Sequence, residues 1–178
     1  MVGKGEMIFL RNLSCCLILF IIFMPVALLS GCKNKESYKA GLEKKGTVYS
    51  EETFLHEVKT ANREEVEMFI RAGINVNAKD RDGSTALMLA AERGDSEMAR
   101  LLIENGADPN ASDISGYTAL MFVSYSGNLE IAKLLVKNGA DVNARDKDGW
   151  TALMFASVEK KTEVADFLRK HDAGKRKT

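Results

Sequence analysis

A unit of 33 residues occurs three times in this chain, and a fourth, more divergent copy precedes it over residues 49–81. The three clear copies begin at Asp82, Ser115 and Asp148. The first two are identical at 17 of 33 positions, against about two expected from average residue usage. This repetition predicts an array in which each unit contacts only its neighbours along the chain.

The order of residues within each copy predicts two short helices. In the copy that begins at Asp82, Thr85 can cap a helix over Ala86–Arg93, and Gly94 can end that helix in the left-handed conformation. Ser96 is expected to cap a second helix, which Gly106 closes. Each unit is therefore predicted to be a helix–turn–helix.

The second helix of each copy carries one apolar stripe. Its members recur at helical spacing as Met98, Leu101 and Leu102, then Ile131, Leu134 and Leu135, then Val164, Phe167 and Leu168. Helices this short are not stable alone, and one pair cannot bury its own apolar face. We therefore expect the stripes to be buried by stacking of adjacent units.

Two motifs mark the beginning and the end of the unit. Gly-x-Thr-Ala-Leu opens at Gly83, Gly116 and Gly149, and Gly-Ala-Asp-x-Asn begins at Gly106 and Gly139. With the 33-residue period, these motifs resemble ankyrin repeats over residues 49–174. The resemblance implies an all-α solenoid of stacked helix–turn–helix units. The usual Thr-Pro-Leu-His opening is replaced by Thr-Ala-Leu-Met, so Met88, Met121 and Met154 are expected to pack inside the array.

The first residues have the pattern of a secretory signal. Lys4 and Arg11 precede an uncharged, largely apolar stretch over residues 12–32. Its end, Leu29-Ser30-Gly31-Cys32, resembles the bacterial lipobox, which implies cleavage before Cys32 and attachment of lipid to its thiol. The alternative is an uncleaved membrane-spanning helix, because 21 residues without charge can cross a bilayer.

The resemblance to a lipoprotein signal also implies a location. It places the protein in a bacterial cell envelope, anchored to the membrane through Cys32 and facing the periplasm. Lys33 follows the cysteine where aspartate is associated with retention in the inner membrane, so the outer membrane is favoured.

These patterns divide the chain into four segments. They are a signal peptide (1–31), a lipidated cysteine and polar tether (32–48), a repeat domain (49–174, in units 49–81, 82–114, 115–147 and 148–174) and a basic tail (175–178). The tether is polar and rich in lysine, which favours a flexible chain over a packed element, although partial helix is the alternative.

Composition and motifs argue against several classes of function. Removal of the first 31 residues leaves 23 basic against 24 acidic side chains, a balance that disfavours a nucleic-acid partner. His56 and His171 are more than three repeats apart, and no phosphate loop or paired-cysteine motif is present. The recurring aspartates, such as Asp80 and Asp82, suit turns better than calcium, which needs clustered oxygens. We therefore expect no enzyme, no cofactor, no metal and no small-molecule substrate.

Positions that differ between copies mark the surface that is free to bind a partner. Among these positions we selected Lys79, Arg81, Ile114, Tyr117, Tyr125, Arg145, Lys147 and Trp150 as candidate binding residues. Exposed tyrosine and tryptophan are enriched where interfaces concentrate their binding energy. The alternative is that these aromatic residues shield the flank of the array, and we interpret Phe122 and Phe155 as residues of the core or its margin.

Two functions follow from this sequence. The first is a non-catalytic adaptor or inhibitor, of which an immunity protein is one form, that binds an envelope protein through Tyr117, Tyr125 and Trp150. The alternative is a structural envelope protein that contacts peptidoglycan or another glycan polymer through Lys79, Arg81, Arg145 and Lys147.

Overall fold

The computed structural model describes residues 34–175 of the chain. Within this range, every regular element is helical. The helices are α1 (Lys35–Lys44), α2 (Glu51–Lys59), α3 (Arg63–Arg71), α4 (Ala86–Arg93), α5 (Ser96–Glu104), α6 (Ala119–Ser126), α7 (Leu129–Lys137), α8 (Ala152–Val158) and α9 (Thr162–Lys175). This architecture confirms the predicted all-α class.

The helices from α2 to α9 form four consecutive pairs that stack side by side. The first helices of the pairs (α2, α4, α6 and α8) contact one another in order, and α5, α7 and α9 form a second layer. Each pair packs on the next, as the 33-residue period predicts. The divergent segment 49–81 contributes a complete pair, α2 and α3, despite the loss of the opening motif.

Local signals set the ends of the helices. The predicted helix Ala86–Arg93 is confirmed at both ends, with Gly94 in the left-handed region at φ 73°. The second helix of this unit begins at Ser96, but its cap is Asp95, whose carboxylate accepts a hydrogen bond from the Met98 amide at 2.9 Å. The prediction that Ser96 is the cap is therefore wrong by one residue, since a carboxylate at the preceding position reaches the free amide.

The predicted apolar stripes lie in the core. Met98, Leu102, Ile131, Leu135, Val164 and Leu168 are all buried. Each stripe has one further member, at its middle position, that is half-buried and packs on the margin of the core. These residues are Leu101, Leu134 and Phe167. The interior is therefore one continuous apolar layer between the two rows of helices.

Aspartates organise the turns that precede the inner helices. An Asp80 Oδ1 atom accepts hydrogen bonds from the Asp82 and Ser84 amides at 3.0 and 2.9 Å. Asp113 and Asp146 repeat this arrangement in the next two units. The recurring aspartates are thus explained by hydrogen bonding within turns.

Asparagine side chains join one unit to the next. The Asn77 side chain donates to the Gly106 carbonyl at 3.0 Å and accepts from the Asp108 amide at 2.8 Å. Asn110 makes the same two contacts, to the Gly139 carbonyl and the Asp141 amide, at 2.9 and 2.7 Å. Each amide therefore satisfies two backbone groups of the following unit, which fixes the register of the stack.

The segment predicted to be a flexible tether is structured over residues 35–44. These residues form α1, which packs on α3 with Leu42 fully buried. After α1, the Tyr49 ring stacks on Phe69 with centroids 5.6 Å apart, and its hydroxyl donates to the Ala72 carbonyl. The structure therefore agrees with the alternative of partial helix rather than with a flexible chain. The sequence favoured the flexible chain because a single leucine in a lysine-rich stretch gives little signal, although α3 buries it. Cys32 and the predicted signal peptide lie outside the described residues.

The face of α8 that points away from α6 differs from its counterparts. Met88 and Met121 are 1% and 2% exposed, as predicted, whereas Met154 is 45% exposed. The expectation that Met154 packs inside the array is therefore wrong. Its equivalents are covered by the next inner helix, and the described residues contain no inner helix beyond α8.

No helix within residues 34–175 has both the length and the apolar character needed to cross a bilayer.

The contact between successive turns can be tested with two glycines at equivalent positions. Gly116 (φ 88°) and Gly149 (φ 81°) both have left-handed backbone, which costs an alanine about 1 to 2 kcal/mol. A Cβ atom on Gly116 would lie 2.9 Å from the Asp146 Cα atom, whereas a Cβ atom on Gly149 would meet nothing within 4 Å. We expect Gly116→Ala to lower the free energy of unfolding by roughly 1 kcal/mol or more beyond Gly149→Ala. Equal losses in urea denaturation would contradict this account of the turns.

The first turn also predicts a dependence of stability on pH. Burial by itself raises the pKa of the Asp80 carboxyl, but hydrogen bonds from the Ser84 amide, the Lys59 ammonium and the Asp82 amide outweigh it. The pKa therefore lies below its ordinary value of 3.8 in the folded state. A lowered pKa stabilises the fold above pH 3.8, and this stabilisation is lost as the pH falls through the folded-state value.

We therefore expect Asp80→Asn to make the acid-induced loss of stability shallower below about pH 4. The measurement is the urea midpoint by circular dichroism at a series of pH values. Glu104→Gln is the control, since Glu104 is exposed on α5. If Asp80→Asn shows the same decrease of the urea midpoint with falling pH as the wild-type protein, the turn does not hold this carboxylate in its charged form.

Candidate protein-binding surface

Four aromatic side chains form a continuous row across the last two repeats. The Tyr117 ring lies edge-on to Phe122 of its own unit at 5.8 Å and to Phe155 of the next unit at 5.5 Å. The Trp150 ring packs on Phe155 at 5.3 Å. We call Phe122, Tyr117, Phe155 and Trp150 the aromatic row. Edge-to-face contacts at these distances are favourable, so the row holds the two repeats together.

The turns position the two members of the row that lie outside helices. Tyr117 follows Gly116, and its amide donates to Asp113 Oδ1 at 2.9 Å. Trp150 occupies the equivalent place one unit later, and its amide donates to Asp146 Oδ1 at 2.7 Å. The same aspartate turn therefore fixes both aromatic residues, while Phe122 and Phe155 occupy equivalent positions on α6 and α8.

A groove of about 510 Å³ opens beside the aromatic row. Its lining combines aromatic, apolar and charged side chains, namely Glu92, Tyr117, Met121, Phe122, Tyr125, Ser126, Phe155, Glu159 and Lys161. Tyr125 stands at its margin with 59% of its surface exposed. This volume falls in the range of sites that bind ligands or side chains of partners. We call this feature the aromatic groove.

The structure brings together some of the predicted binding residues. Tyr117 and Tyr125 line the aromatic groove, and Trp150, 38% exposed, adjoins it through Phe155. Ile114 is exposed at the tip of its turn and does not line the groove. Tyr117 is half-buried between Phe122 and Phe155, so it supports the array as well as the groove wall, as the alternative interpretation held.

The four predicted basic residues belong to two different turns. Lys79 and Arg81 line a second cavity, of about 530 Å³, together with acidic residues that include Glu51 and Asp80. The Lys79 ammonium donates to the Ser112 carbonyl at 2.8 Å.

The other two basic residues belong to the turn before α8. The Arg145 guanidinium donates to the Gly149 carbonyl at 2.8 Å, and Lys147 is exposed. Two of the four cations therefore bind backbone within the array, and acidic side chains accompany those that line the cavity.

Seven of the nine residues that line the aromatic groove, among them Phe122, Phe155, Glu92 and Glu159, were not among the selected binding candidates. Phe122 and Phe155, interpreted as residues of the core or its margin, are half-buried at the margin and form part of the groove wall. Glu92 and Glu159 also line the groove, although 67 positions separate them in the sequence. The sequence did contain a signal for Glu92 as a binding residue. Glu92 occupies the same repeat position as Tyr125 in the next unit, and this position differs between copies.

The histidines do not converge on a site. His56 lines the cavity beside α2, whereas His171 lies on α9 with Nδ1 2.8 Å from the Phe167 carbonyl oxygen. Over residues 34–175, no group of three or more histidine, cysteine, aspartate or glutamate side chains is arranged to hold a metal ion.

Comparison with known families agrees with this geometry. Two overlapping segments, residues 70–120 and 102–156, match the family described as ankyrin repeats (many copies). No curated protein matches the chain. The matched segments contain the helix pairs α4–α5 and α6–α7, the turns that precede α4, α6 and α8, and the aromatic row. The chain therefore matches the ankyrin-repeat family over residues 70–156.

Proposed function

We propose that this protein is a non-catalytic adaptor or inhibitor that binds another protein through the aromatic groove, while a lipid on Cys32 anchors it in a bacterial envelope. The observation that carries the proposal is the groove itself, where exposed Tyr125 and Trp150 flank the half-buried Tyr117 and Phe155. Ankyrin repeats are in general modules of protein–protein interaction and are typically non-catalytic.

The physical basis of binding is rigid presentation of aromatic surface. The aromatic row packs across two repeats, so its side chains have lost much of their freedom before a partner arrives. A preorganised surface loses less conformational entropy on association, and tyrosine and tryptophan contribute large contact areas. Tyr125 and Trp150 are therefore the residues that we expect to contribute most of the binding energy.

The basic turns fit a glycan polymer less well. Lys79 and Arg145 donate to backbone carbonyls, and Lys79 and Arg81 share their cavity with Glu51, Glu52 and Asp80. A surface with both signs of charge attracts a polyanion weakly. These contacts favour the aromatic groove over the basic side chains as the site of recognition.

The anchor rests on the sequence Leu29-Ser30-Gly31-Cys32 and the apolar stretch before it. Only Lys33 and Asn34 separate Cys32 from the first residue of α1. The proposed anchor is therefore much shorter than the tether predicted within residues 32–48. The periplasmic face of the outer membrane is the proposed location.

Capture from an envelope extract tests the binding surface. We expect the immobilised wild-type chain and Val48→Ala, which changes an exposed residue beside α1, to retain the same envelope protein. Tyr125→Ala combined with Trp150→Ala should lose it, because truncation of an interface anchor costs about 2 kcal/mol or more, roughly 30-fold in affinity. Thermal denaturation confirms that each variant is folded. Equal retention by all three baits would place the interface elsewhere.

Expression in a bacterial host tests the anchor. We expect the wild-type chain to be shortened at its N-terminus, to incorporate labelled palmitate and to enter the membrane fraction. Cys32→Ser should incorporate none, whereas Cys16→Ser, which changes a cysteine within the predicted signal, should behave like the wild type. A wild-type chain that keeps Met1 in the membrane fraction and carries no palmitate would contradict lipidation and indicate an uncleaved anchor.

A further inference from the structure

The aromatic groove contains two carboxylates in addition to its aromatic wall. Glu92 lies in the last turn of α4, and Glu159 follows the end of α8. Both line the groove, and neither forms an ion pair or a side-chain hydrogen bond with a described residue. Carboxylates elsewhere on the array do find partners, as Glu97 does with Arg63 and Glu130 with Arg100. The charge of Glu92 and Glu159 is therefore available to a ligand.

One cation also lines the groove. Lys161 follows the last helical turn of α8, and its side-chain carbons cover Gly127, where a Cβ atom would lie 2.6 Å from Lys161 Cδ. Its ammonium forms no ion pair with a described residue. Two carboxylates against one ammonium leave the groove with a net negative charge.

We infer that the aromatic groove binds an arginine side chain of the partner protein, stacked on the aromatic wall and attracted by the negative charge of Glu92 and Glu159. This inference rests on the proposed function, because it names the chemistry of the partner at the same site. A cation over an aromatic face is attracted by the negative potential of the ring. The carboxylates supply hydrogen-bond acceptors beside that face.

Charge complementarity selects this occupant over others. A purely apolar segment would cover Glu92 and Glu159 without pairing them, and burial of an unpaired charge is unfavourable. An acidic segment would be repelled by the same two groups. A basic side chain avoids both the unpaired carboxylates and the repulsion. Its stem covers the apolar wall, and its positive charge attracts the carboxylates.

Arginine satisfies the site better than lysine. The guanidinium is planar, stacks on aromatic rings and presents five donors in a fixed plane, so it can stack on the wall and still donate to a carboxylate beside it. A lysine ammonium is a compact, strongly hydrated charge that does not stack. The groove, at about 510 Å³, also has room for residues of the partner on either side of the arginine.

Trp150 provides a direct readout of binding. It is the only tryptophan in the chain, and its ring lies 5.3 Å from Phe155, which lines the groove. The experiment titrates the full chain, in micelles of an uncharged detergent, with acetyl-Gly-Arg-Gly-amide and with the same peptide carrying citrulline. Citrulline keeps the shape of arginine and lacks its charge.

The expected result is a saturable change in Trp150 fluorescence with the arginine peptide that is at least about threefold weaker with citrulline. Glu92→Gln and Glu159→Gln should each weaken arginine binding roughly threefold, and high salt should weaken it as well. Glu104→Gln, which removes an exposed carboxylate outside the groove, should bind as the wild type does.

Three results would overturn the inference. They are no saturable change with the arginine peptide, equal affinity for the citrulline peptide, and unchanged affinity in the doubly substituted Glu92→Gln, Glu159→Gln chain. The capture experiment separates this outcome from failure of the proposed function. If that double variant retains the envelope protein that Tyr125→Ala with Trp150→Ala loses, the groove binds a protein but does not recognise its arginine.

Discussion

Burial of each helix pair against the next is the interaction on which the structure depends. Helices of seven to nine residues in α2 to α8 are too short to be stable alone. Met88 and Met121 become buried on the inner helices of consecutive units, and Leu102 and Leu135 on the outer helices. Because every interface repeats the one before it, positions that face a neighbour must stay apolar, whereas positions that face solvent are free to differ.

Hydrogen bonds in the turns fix the conformation of the segments between the packed helices. Aspartate side chains hold each turn through two backbone amides, and asparagine side chains satisfy backbone groups of the following unit. These contacts fix the direction in which Tyr117 and Trp150 leave the turn. The aromatic row is therefore both part of the packing between repeats and the wall of the groove, so the surface proposed for binding is as rigid as the array beneath it.

The charged side chains of the array are of two kinds, namely those that pair with an opposite charge and those that do not. Several charged side chains beside helices α1 to α5 pair with an opposite charge, as Lys45 does with Glu64 and Lys59 with Asp80. Glu92 and Glu159 lack such partners among the described residues and line the aromatic groove instead. Unpaired carboxylates beside an apolar wall favour a ligand that brings both a positive charge and an apolar stem, which is the chemistry proposed for the partner.

The sequence by itself determined the period, the helix pairs, the buried stripes and two exposed aromatic residues, Tyr125 and Trp150. These features depend on local signals, namely caps, glycines and helical spacing, which act within one unit and recur in the next. The N-cap of α5 is Asp95, one residue before the predicted Ser96. Both residues are good caps, and only the backbone geometry determines which of them caps the helix.

Tertiary structure alone decided the remaining features. Packing on α3 made a helix of residues 35–44, and the absence of an inner helix beyond α8 within the described residues left Met154 exposed. The aromatic groove is lined by Glu92, Tyr125 and Glu159, which are far apart in sequence and share one groove only because three units stack in register. Local patterns report what one unit can form, whereas contacts across the stack depend on which surface each unit meets.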